Sequence, residues 1–263
     1  MPELISFSRK FLMVFLVLTA PSLLAWGPTG HRVVGQIATM HLTPQTAAAL
    51  QDLIGPASLA DVSNWADWIR SDPAYDFTSS WHYVNLPDGV SYAEAEPLPE
   101  GDAYAKILDF IKVLKDDAAS KADKALAIKW LTHLIGDIHQ PLHAGHLDDL
   151  GGNRIRCVWF GEPCNLHQIW DSKIIDATHL SYTELADKIN RNTAVKIEAG
   201  PEPEPDQWLE ESLKYRATAY QAPEASTGGT YRYIFEHSDL VEQRLTQAGR
   251  RLALTLNYAL GAE

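Results

Sequence analysis

The stretch HLIGDIHQPLH, from His133 to His143, decides the fold of this chain. It ends a run in which apolar residues recur about once per helical turn, which predicts a helix over residues 124–140. Pro141 ends or kinks this helix because proline lacks the amide hydrogen. Residues four apart on a helix share a face, so His133 and Asp137 are expected to present an imidazole and a carboxylate to one place.

Helical spacing recurs along most of the chain, and strand-like alternation is scarce. The other predicted helices cover residues 30–41, 44–54, 58–70, 102–117, 165–175, 182–192, 206–220 and 230–260. Residues 151–164 differ, with apolar residues at every second position between glycines, and predict a small β-hairpin. We expect a mainly α, single-domain multi-helix fold over residues 26–263 with one β-hairpin.

The first 25 residues have the features of an export signal. Two basic residues precede the apolar run from Phe11 to Leu18, and Ala25 is a small residue at the expected cleavage site. The run is shorter than the roughly 20 residues of a membrane-spanning helix. We therefore expect residues 1–25 to be removed, leaving a secreted or periplasmic monomer that begins at Trp26 and has no stable membrane association.

The mature chain is acidic. Removing residues 1–25 takes away two basic residues and one acidic residue, and changes the formal charge from −12 to −13. Proteins that hold nucleic acids in a basic groove neutralise phosphates with Lys and Arg. The acidic balance argues against such a groove, so a polyanionic substrate would need bound divalent ions as its source of positive charge.

The chain has two cysteines, Cys157 and Cys164, in the segment CVWFGEPC of the predicted hairpin. In an oxidising compartment the two could close a short loop as a disulfide bond. The alternative is a pair of buried free thiols.

A second pair with helical spacing, His167 and Asp171, lies in HQIWD. His143 follows a proline turn that can direct its imidazole toward the same pocket, and Asp67 and His82 flank a helix end and a loop. Zinc binds imidazole nitrogens and carboxylate oxygens at about 2.0–2.2 Å. One such pair is weak evidence for a metal, because a lone histidine is more often a core or surface residue, but the whole set is far more specific.

The order of these motifs resembles that of a known family. The motifs are WGxxGH at Trp26–His31, WAD at Trp65–Asp67, HYVN at His82, HLIGDIHQPLH at His133, GGN at Gly151 and NLHxxWD at Asn165–Asp171. In this order they are similar to the zinc-dependent single-strand nucleases of fungi, plants and bacteria, also called 3′-nucleotidases. These enzymes are related to the trinuclear zinc phospholipases C.

The resemblance implies three Zn²⁺ ions and a set of ligands. One zinc would be held by Asp67, His82, His133 and Asp137, and a second by His143, His167 and Asp171. The third would be held by the α-amino group and carbonyl oxygen of Trp26 with His31 and a shared Asp137. An α-amino nitrogen binds zinc only when it is free and deprotonated. Cleavage before Trp26 would therefore be part of assembling the site.

The resemblance also implies a reaction, the hydrolysis of single-stranded DNA, RNA and nucleotides to 5′-phosphate products. Two neighbouring zinc ions can bridge one water and lower its pKa from 15.7 toward about 7, which supplies hydroxide at neutral pH. Asp67 and Asp137 would then be catalytic through the metals that they hold.

Three further residues match substrate contacts of the family. Arg70 matches a position that contacts the cleaved phosphate, where a bidentate donor strengthens the transition-state clamp, although a solvated arginine at a helix end is the alternative. Tyr83 matches an aromatic residue that stacks on the base. Asn85 replaces an acidic residue expected in the fungal enzymes, which leaves base preference open.

Other conspicuous residues are expected to be structural. His139 is two residues after Asp137 and points away from the ligand face. Asp149 precedes the GGN motif and is expected to order that loop. Four tryptophans at helical spacing are expected in the core. They are Trp65, Trp68, Trp130 and Trp170.

Two rival functions fit the same residues. A trinuclear zinc phospholipase C would use the same cluster, although the hairpin with GGN and the NLHxxWD ending favour a nuclease. A secreted zinc-binding protein without turnover would need closed sites, whereas catalytic zinc keeps a position for water.

Overall fold

The computed structural model describes residues 26–192, 195, 197, 200 and 202–261. The predicted export signal lies outside the described residues. The described chain is mainly α-helical, as expected, with one two-stranded antiparallel sheet.

The helices and strands follow in chain order. They are α1 (Pro28–Met40), α2 (Pro44–Ile54), α3 (Leu59–Val62), α4 (Trp65–Trp68), α5 (Ala103–Lys115), α6 (Lys121–Asp137), β1 (Arg156–Trp159), β2 (Glu162–Asn165), α7 (Leu166–Gln168), α8 (Ile174–Asp176), α9 (Tyr182–Asn190), α10 (Pro205–Ala219) and α11 (Thr227–Leu260). Short 3-10 helices cover Ile69–Ser71, Pro73–His82, Tyr92–Glu94 and Pro141–Ala144, and a π-helical turn covers Ile169–Lys173.

Helix α6 runs through the centre of the molecule. Every residue from Trp130 to Gly145 is buried, although this stretch carries three histidines, an aspartate and a glutamine. Helices α1, α5 and α11 pack against α6, and α1 also packs against α9 and α11. The core helix predicted from the sequence is confirmed, and the packing encloses its polar residues in an apolar shell.

The helix starts follow local chemistry. The hydroxyl of Thr43 accepts a hydrogen bond from the amide of Thr46 (3.1 Å) and caps α2. Asp102 caps α5 in the same way through the amide of Ala105 (2.9 Å).

One predicted helix, residues 58–70, is wrong. The chain forms two single turns, α3 and α4, which are interrupted at Ser63 and Asn64. The hydroxyl of Ser63 donates to the carbonyl oxygen of Ala60, and Asn64 leaves the helical region with φ −96° and ψ 1°. The interruption leaves the carbonyl oxygen of Ser63 outside the helical ladder.

The hairpin is confirmed, but the disulfide is not. Cys157 and Cys164 are paired residues in the register of β1 and β2, yet both are free thiols in the structure. Burial raises the pKa of Cys157 to about 11, which keeps its thiol protonated.

The expectation for the tryptophans holds for Trp130 and Trp170, which are buried. It is wrong for Trp68, which is 63% exposed on the outer side of α4. None of the helices in the described ranges combines the length and the apolar character of a bilayer span.

Candidate metal centre

The eight side chains predicted as metal ligands lie in three groups around one site. Within each group the possible ligand atoms lie within 4.8 Å of one another. The groups are His31 with His133 and Asp137, Asp67 with His82 and His133, and His143 with His167 and Asp171. Residues up to 140 positions apart therefore converge as the sequence analysis predicts.

Asp137 belongs to the first group and also contacts His82 of the second. Its Oδ1 lies 3.3 Å from Nε2 of His31, and its Oδ2 lies 3.2 Å from Nδ1 of His82 and 3.3 Å from Nε2 of His133. Burial opposes ionisation, but the surrounding imidazoles, His133 foremost, hold the pKa of Asp137 well below its ordinary value. One carboxylate is thus shared among three imidazoles.

Helix α1 brings His31 to the site. Its ring stacks on His133, with ring centroids 3.9 Å apart and an angle of 15° between the planes. Gly136 makes room for this approach, since a Cβ there would lie only 2.9 Å from Nδ1 of His31. Burial lowers the pKa of His31 and favours the neutral imidazole, which is the form that binds metals.

The interruption between α3 and α4 orients His133. Nδ1 of His133 donates to the carbonyl oxygen of Ser63 (2.8 Å), so Nε2 points into the site. Nε2 also lies 3.7 Å from Oδ1 of Asp67, which α4 carries. The broken helix therefore supplies both the carbonyl oxygen of Ser63, which orients His133, and the candidate ligand Asp67. Metal-binding histidines commonly donate their second ring N–H to such a carbonyl oxygen.

His143 and His167 carry the clearest sign of a cation. Nδ1 of His143 donates to the carbonyl oxygen of His82 (2.5 Å), and Nδ1 of His167 donates to that of Gly151 (2.6 Å). The two Nε2 atoms lie 3.1 Å apart. Burial lowers the pKa of His143 to about 3, so its imidazole is neutral and its Nε2 carries a lone pair. A metal ion can bind at this lone pair, within reach of both nitrogens.

Gly151 is required for this geometry. Its φ of +62° is in the left-handed region, and a Cβ there would lie 2.3 Å from the carbonyl oxygen of Leu142. The first glycine of the GGN motif thus presents the carbonyl that orients His167.

Asp171 completes the third group. Its Oδ2 lies 3.1 Å from Nε2 of His167, and its Oδ1 accepts a hydrogen bond from Nε2 of Gln140 (2.7 Å). Burial raises the pKa of Asp171 well above its ordinary value, so a nearby cation is needed to keep the carboxylate charged. The π-helical turn places Asp171 toward the site, and Gln140, which sequence reasoning missed, holds it there.

Several polar atoms of the site are buried without a hydrogen-bond partner. They are Nδ1 and Nε2 of His31, Oδ1 of Asp67, Nε2 of His82 and Oδ1 of Asp137. A buried polar atom without a partner is costly, so a group of them in one place calls for a ligand. Imidazole nitrogens and carboxylate oxygens are the donors that zinc prefers. The residues therefore fit a cluster of divalent metal ions.

Trp26, the first described residue, is fully buried beside this site. A Cβ added at Gly136 would lie 2.9 Å from Nδ1 of His31 and 3.7 Å from Cδ1 of Trp26, so Trp26 and His31 both lie close to Gly136. The amide of the next residue, Gly27, donates to the carbonyl oxygen of Asp171 (2.7 Å). Trp26, the start of the mature chain predicted from the sequence, thus lies beside the candidate ligands.

A small cavity opens from the metal centre toward solvent. It has a volume of about 30 Å³, and Arg70, Tyr83 and Asn85 line it together with His82, His143 and His167. Nη1 of Arg70 is buried without a hydrogen-bond partner and lies 3.7 Å from Asp67. The guanidinium therefore lies at the site in an ion pair with Asp67, and its Nη1 is a donor that no hydrogen bond uses.

The two polar residues expected to be structural are confirmed in that role. Nδ1 of His139 lies 2.7 Å from the carbonyl oxygen of Ile135, and its Nε2 accepts from Arg251 (2.9 Å). Oδ1 of Asp149 accepts from the amide of Gly152 (2.7 Å), which orders the GGN loop.

Comparison with known proteins identifies the family. The model of the S1/P1 nuclease family matches residues 26–261. Endonuclease 2 of Arabidopsis thaliana is 31% identical over 94% of this chain and 95% of its own length. Nuclease P1 of Penicillium citrinum is 27% identical over 90% of this chain and 99% of its own length. Nuclease S1 of Aspergillus oryzae is 33% identical over 57% of this chain and 54% of its own length.

The metal centre and these relatives agree with the order of motifs in the sequence. From Trp26 to Gly261 the chain belongs to the S1/P1 nuclease family, and it is a metal-dependent phosphodiesterase that acts on nucleic acids.

Proposed function

We propose that this protein hydrolyses phosphodiester bonds of single-stranded DNA and RNA, and the 3′-phosphate of nucleotides, with three bound zinc ions. The observation that carries the proposal is the close approach of Nε2 of His143 and Nε2 of His167, 3.1 Å apart beside a cavity lined by Arg70. These two features support a cation and a phosphate-binding guanidinium at one opening. The 5′-phosphate products are assigned from the family resemblance alone.

The ligand sets predicted from the sequence are retained in the proposal. Asp67, His82, His133 and Asp137 would hold one zinc, His143, His167 and Asp171 a second, and Trp26, His31 and Asp137 the third. When bound, the ions neutralise phosphate charge and activate water for attack at neutral pH. A clustered positive charge also explains how a chain of net charge −12 can accept a polyanion.

The chain's own residues position the substrate. Arg70 binds a phosphoryl oxygen through its unused Nη1 and stabilises the charge that develops there. Tyr83, half-buried at the same cavity, offers a ring for stacking, and Asn85 beside it hydrogen-bonds the edge of the base. A base can lie against Tyr83 only when it has left its duplex stack, which favours single-stranded substrates.

The proposal includes export and processing. Residues 1–25 would be removed, and the free amine of Trp26 would bind the third zinc of a secreted or periplasmic monomer. In that oxidising compartment Cys157 and Cys164, which face each other across the hairpin, would form a disulfide.

A substrate panel tests the proposal. Zinc-loaded protein should cleave single-stranded DNA and RNA, release phosphate from 3′-nucleotides, and act more slowly on duplex DNA. Phosphatidylcholine turnover without nucleic-acid cleavage would instead establish a phospholipase C. Three bound zinc ions without any phosphate-ester hydrolysis would establish a zinc-binding protein.

Arg70→Gln separates a substrate contact from a metal ligand. It should lower kcat/KM on single-stranded DNA by about 10²-fold, as expected for the loss of one transition-state donor, with unchanged zinc content. The matched control is Arg156→Gln, on the exposed edge of the hairpin, which should leave both quantities unchanged. Full activity of Arg70→Gln would contradict its role.

A further inference from the structure

A second and larger cavity lies next to the one at the metal centre. Its volume is about 340 Å³, within the range of about 300–1,000 Å³ typical of small-molecule sites. Its lining includes Tyr83, Asn85, Tyr92, Leu98, Asp102 and Leu147. Tyr83 and Asn85 line both cavities, so the two lie on either side of one chain segment.

That segment is fixed from both sides. Toward the metal centre, the amide of Val84 donates to the carbonyl oxygen of His143 (2.7 Å). Toward the second cavity, the amide of Ala103 donates to the carbonyl oxygen of Tyr83 (3.3 Å). A strand whose phosphate lies at the metal centre and whose base contacts Tyr83 can therefore place a neighbouring nucleotide in a preformed space.

The walls of the second cavity suit a flat apolar group. Leu98 and Leu147 are large apolar side chains that are 43% and 67% exposed, so their burial by a ligand would be favourable. The ring of Tyr92 packs against Tyr104, with centroids 4.3 Å apart, which keeps this wall rigid.

The two charged side chains that line the cavity, Asp102 and Glu96, are acceptors. Asp102 is buried, and its Oδ1 accepts from the hydroxyl of Tyr92 (3.1 Å) and the amide of Ala105 (2.9 Å). A carboxylate offers about four acceptor positions, which leaves capacity for a ligand. Glu96 adds a second carboxylate at the rim, and neither Lys nor Arg occurs among the described lining residues. The cavity therefore repels phosphate and favours a group that carries amino donors.

We propose that the second cavity binds the base of the nucleotide adjacent to the one at the metal centre, and that it favours adenine, cytosine or guanine over uracil or thymine. The exocyclic amino group of the favoured bases donates to the carboxylate of Asp102. The inference rests on the proposed function, because the strand enters from the metal centre.

Filling the cavity tests the inference. Ala93 lines the cavity and is exposed, so Ala93→Trp blocks the space without disturbing the core. The variant should raise KM for adenylyl-adenosine about tenfold, or about 1.4 kcal/mol, and leave KM for 3′-AMP unchanged. Ala48→Trp, on the exposed face of α2, is the matched control and should change neither value. An equal rise for both substrates, or no rise, would overturn the inference.

Asp102→Asn tests the base preference. Asparagine also caps helices, so α5 keeps its start while the carboxylate is lost. The ratio of kcat/KM for adenylyl-adenosine to that for uridylyl-uridine should fall at least threefold. An unchanged ratio would remove Asp102 from base recognition.

A binding measurement separates this inference from the proposed function. Ala93→Trp should weaken the binding of a non-hydrolysable methylphosphonate analogue of adenylyl-adenosine about tenfold. If this occurs in a protein that cleaves no phosphodiester, the reaction is wrong and the cavity assignment stands. If the protein cleaves single-stranded DNA and the analogue binds both variants equally, the cavity assignment is wrong and the reaction stands.

Discussion

Replacing Asp137 by asparagine should remove two of the three proposed metal ions. The substitution keeps the volume of the side chain in a fully buried position and removes only its charge. Asp137 contacts His31, His82 and His133 at 3.2–3.3 Å, so it touches both groups of ligands on that side of the site. The group of His143, His167 and Asp171 does not include it.

The expected magnitude follows from this division. Each of the two affected ions loses its shared anionic ligand, whereas the third ion keeps all of its side-chain ligands. The zinc content measured by elemental analysis should therefore fall from three ions per chain to one. Activity on single-stranded DNA should fall by about 10³-fold or more, since electrostatic stabilisation of the transition state is lost with the ions.

The control is Asp102→Asn, which changes another buried carboxyl group outside the three ligand groups. It should keep three zinc ions per chain. Thermal unfolding of both variants shows whether each is folded. Retention of three ions by folded Asp137→Asn would refute the shared role of this carboxylate.

Three other predictions concern the chain end, the metals and pH. A chain with extra residues before Trp26 should hold two zinc ions and lose most activity; three ions and full activity in elemental and kinetic assays would contradict amine ligation. Chelation should lower the Tm measured by calorimetry, because ions that bind only the folded state stabilise it, and an unchanged Tm would argue against a structural contribution. Burial opposes ionisation of Glu211, but Arg251 and the buried Arg244 hold its pKa below its ordinary value of 4.5. A lowered folded-state pKa stabilises the protein above about pH 4.5, and the contribution is lost as pH falls through the folded value. Glu211→Gln should thus lower the free energy of unfolding at pH 7 by about 3 kcal/mol, as measured by denaturant titration. The difference in unfolding free energy between the variant and the wild type should shrink below pH 4.5. A difference that stays constant with pH would contradict the ion pairs.

The side chains that gather at the candidate metal centre could be predicted because their signal is largely local. His133 with Asp137 and His167 with Asp171 have helical spacing, and the order of the motifs supplied the remaining residues. The structure brings all of these side chains together. The mainly α fold could be predicted for a related reason, since apolar periodicity and capping residues such as Thr43 act within one turn of helix.

Features that depend on tertiary contacts could not be predicted. The interruption of the helix leaves the carbonyl oxygen of Ser63 available to His133, which is 70 residues away. No local sequence pattern predicts that contact. Gln140 bonds Asp171 across 31 residues. Trp68 is exposed although its spacing suits a core position.

The second cavity is another feature of this kind. It lies between residues of the 82–86 segment, a 3-10 turn and the start of α5, which only the folded chain brings together. Its acceptor-rich lining has no sequence motif.

Anomalous diffraction at the zinc edge, from crystals of protein that begins at Trp26, tests the metal centre most directly. Three peaks are expected in one cluster, one beside His143, His167 and Asp171 and two around Asp137. A single peak, or peaks away from these side chains, would contradict the trinuclear assignment.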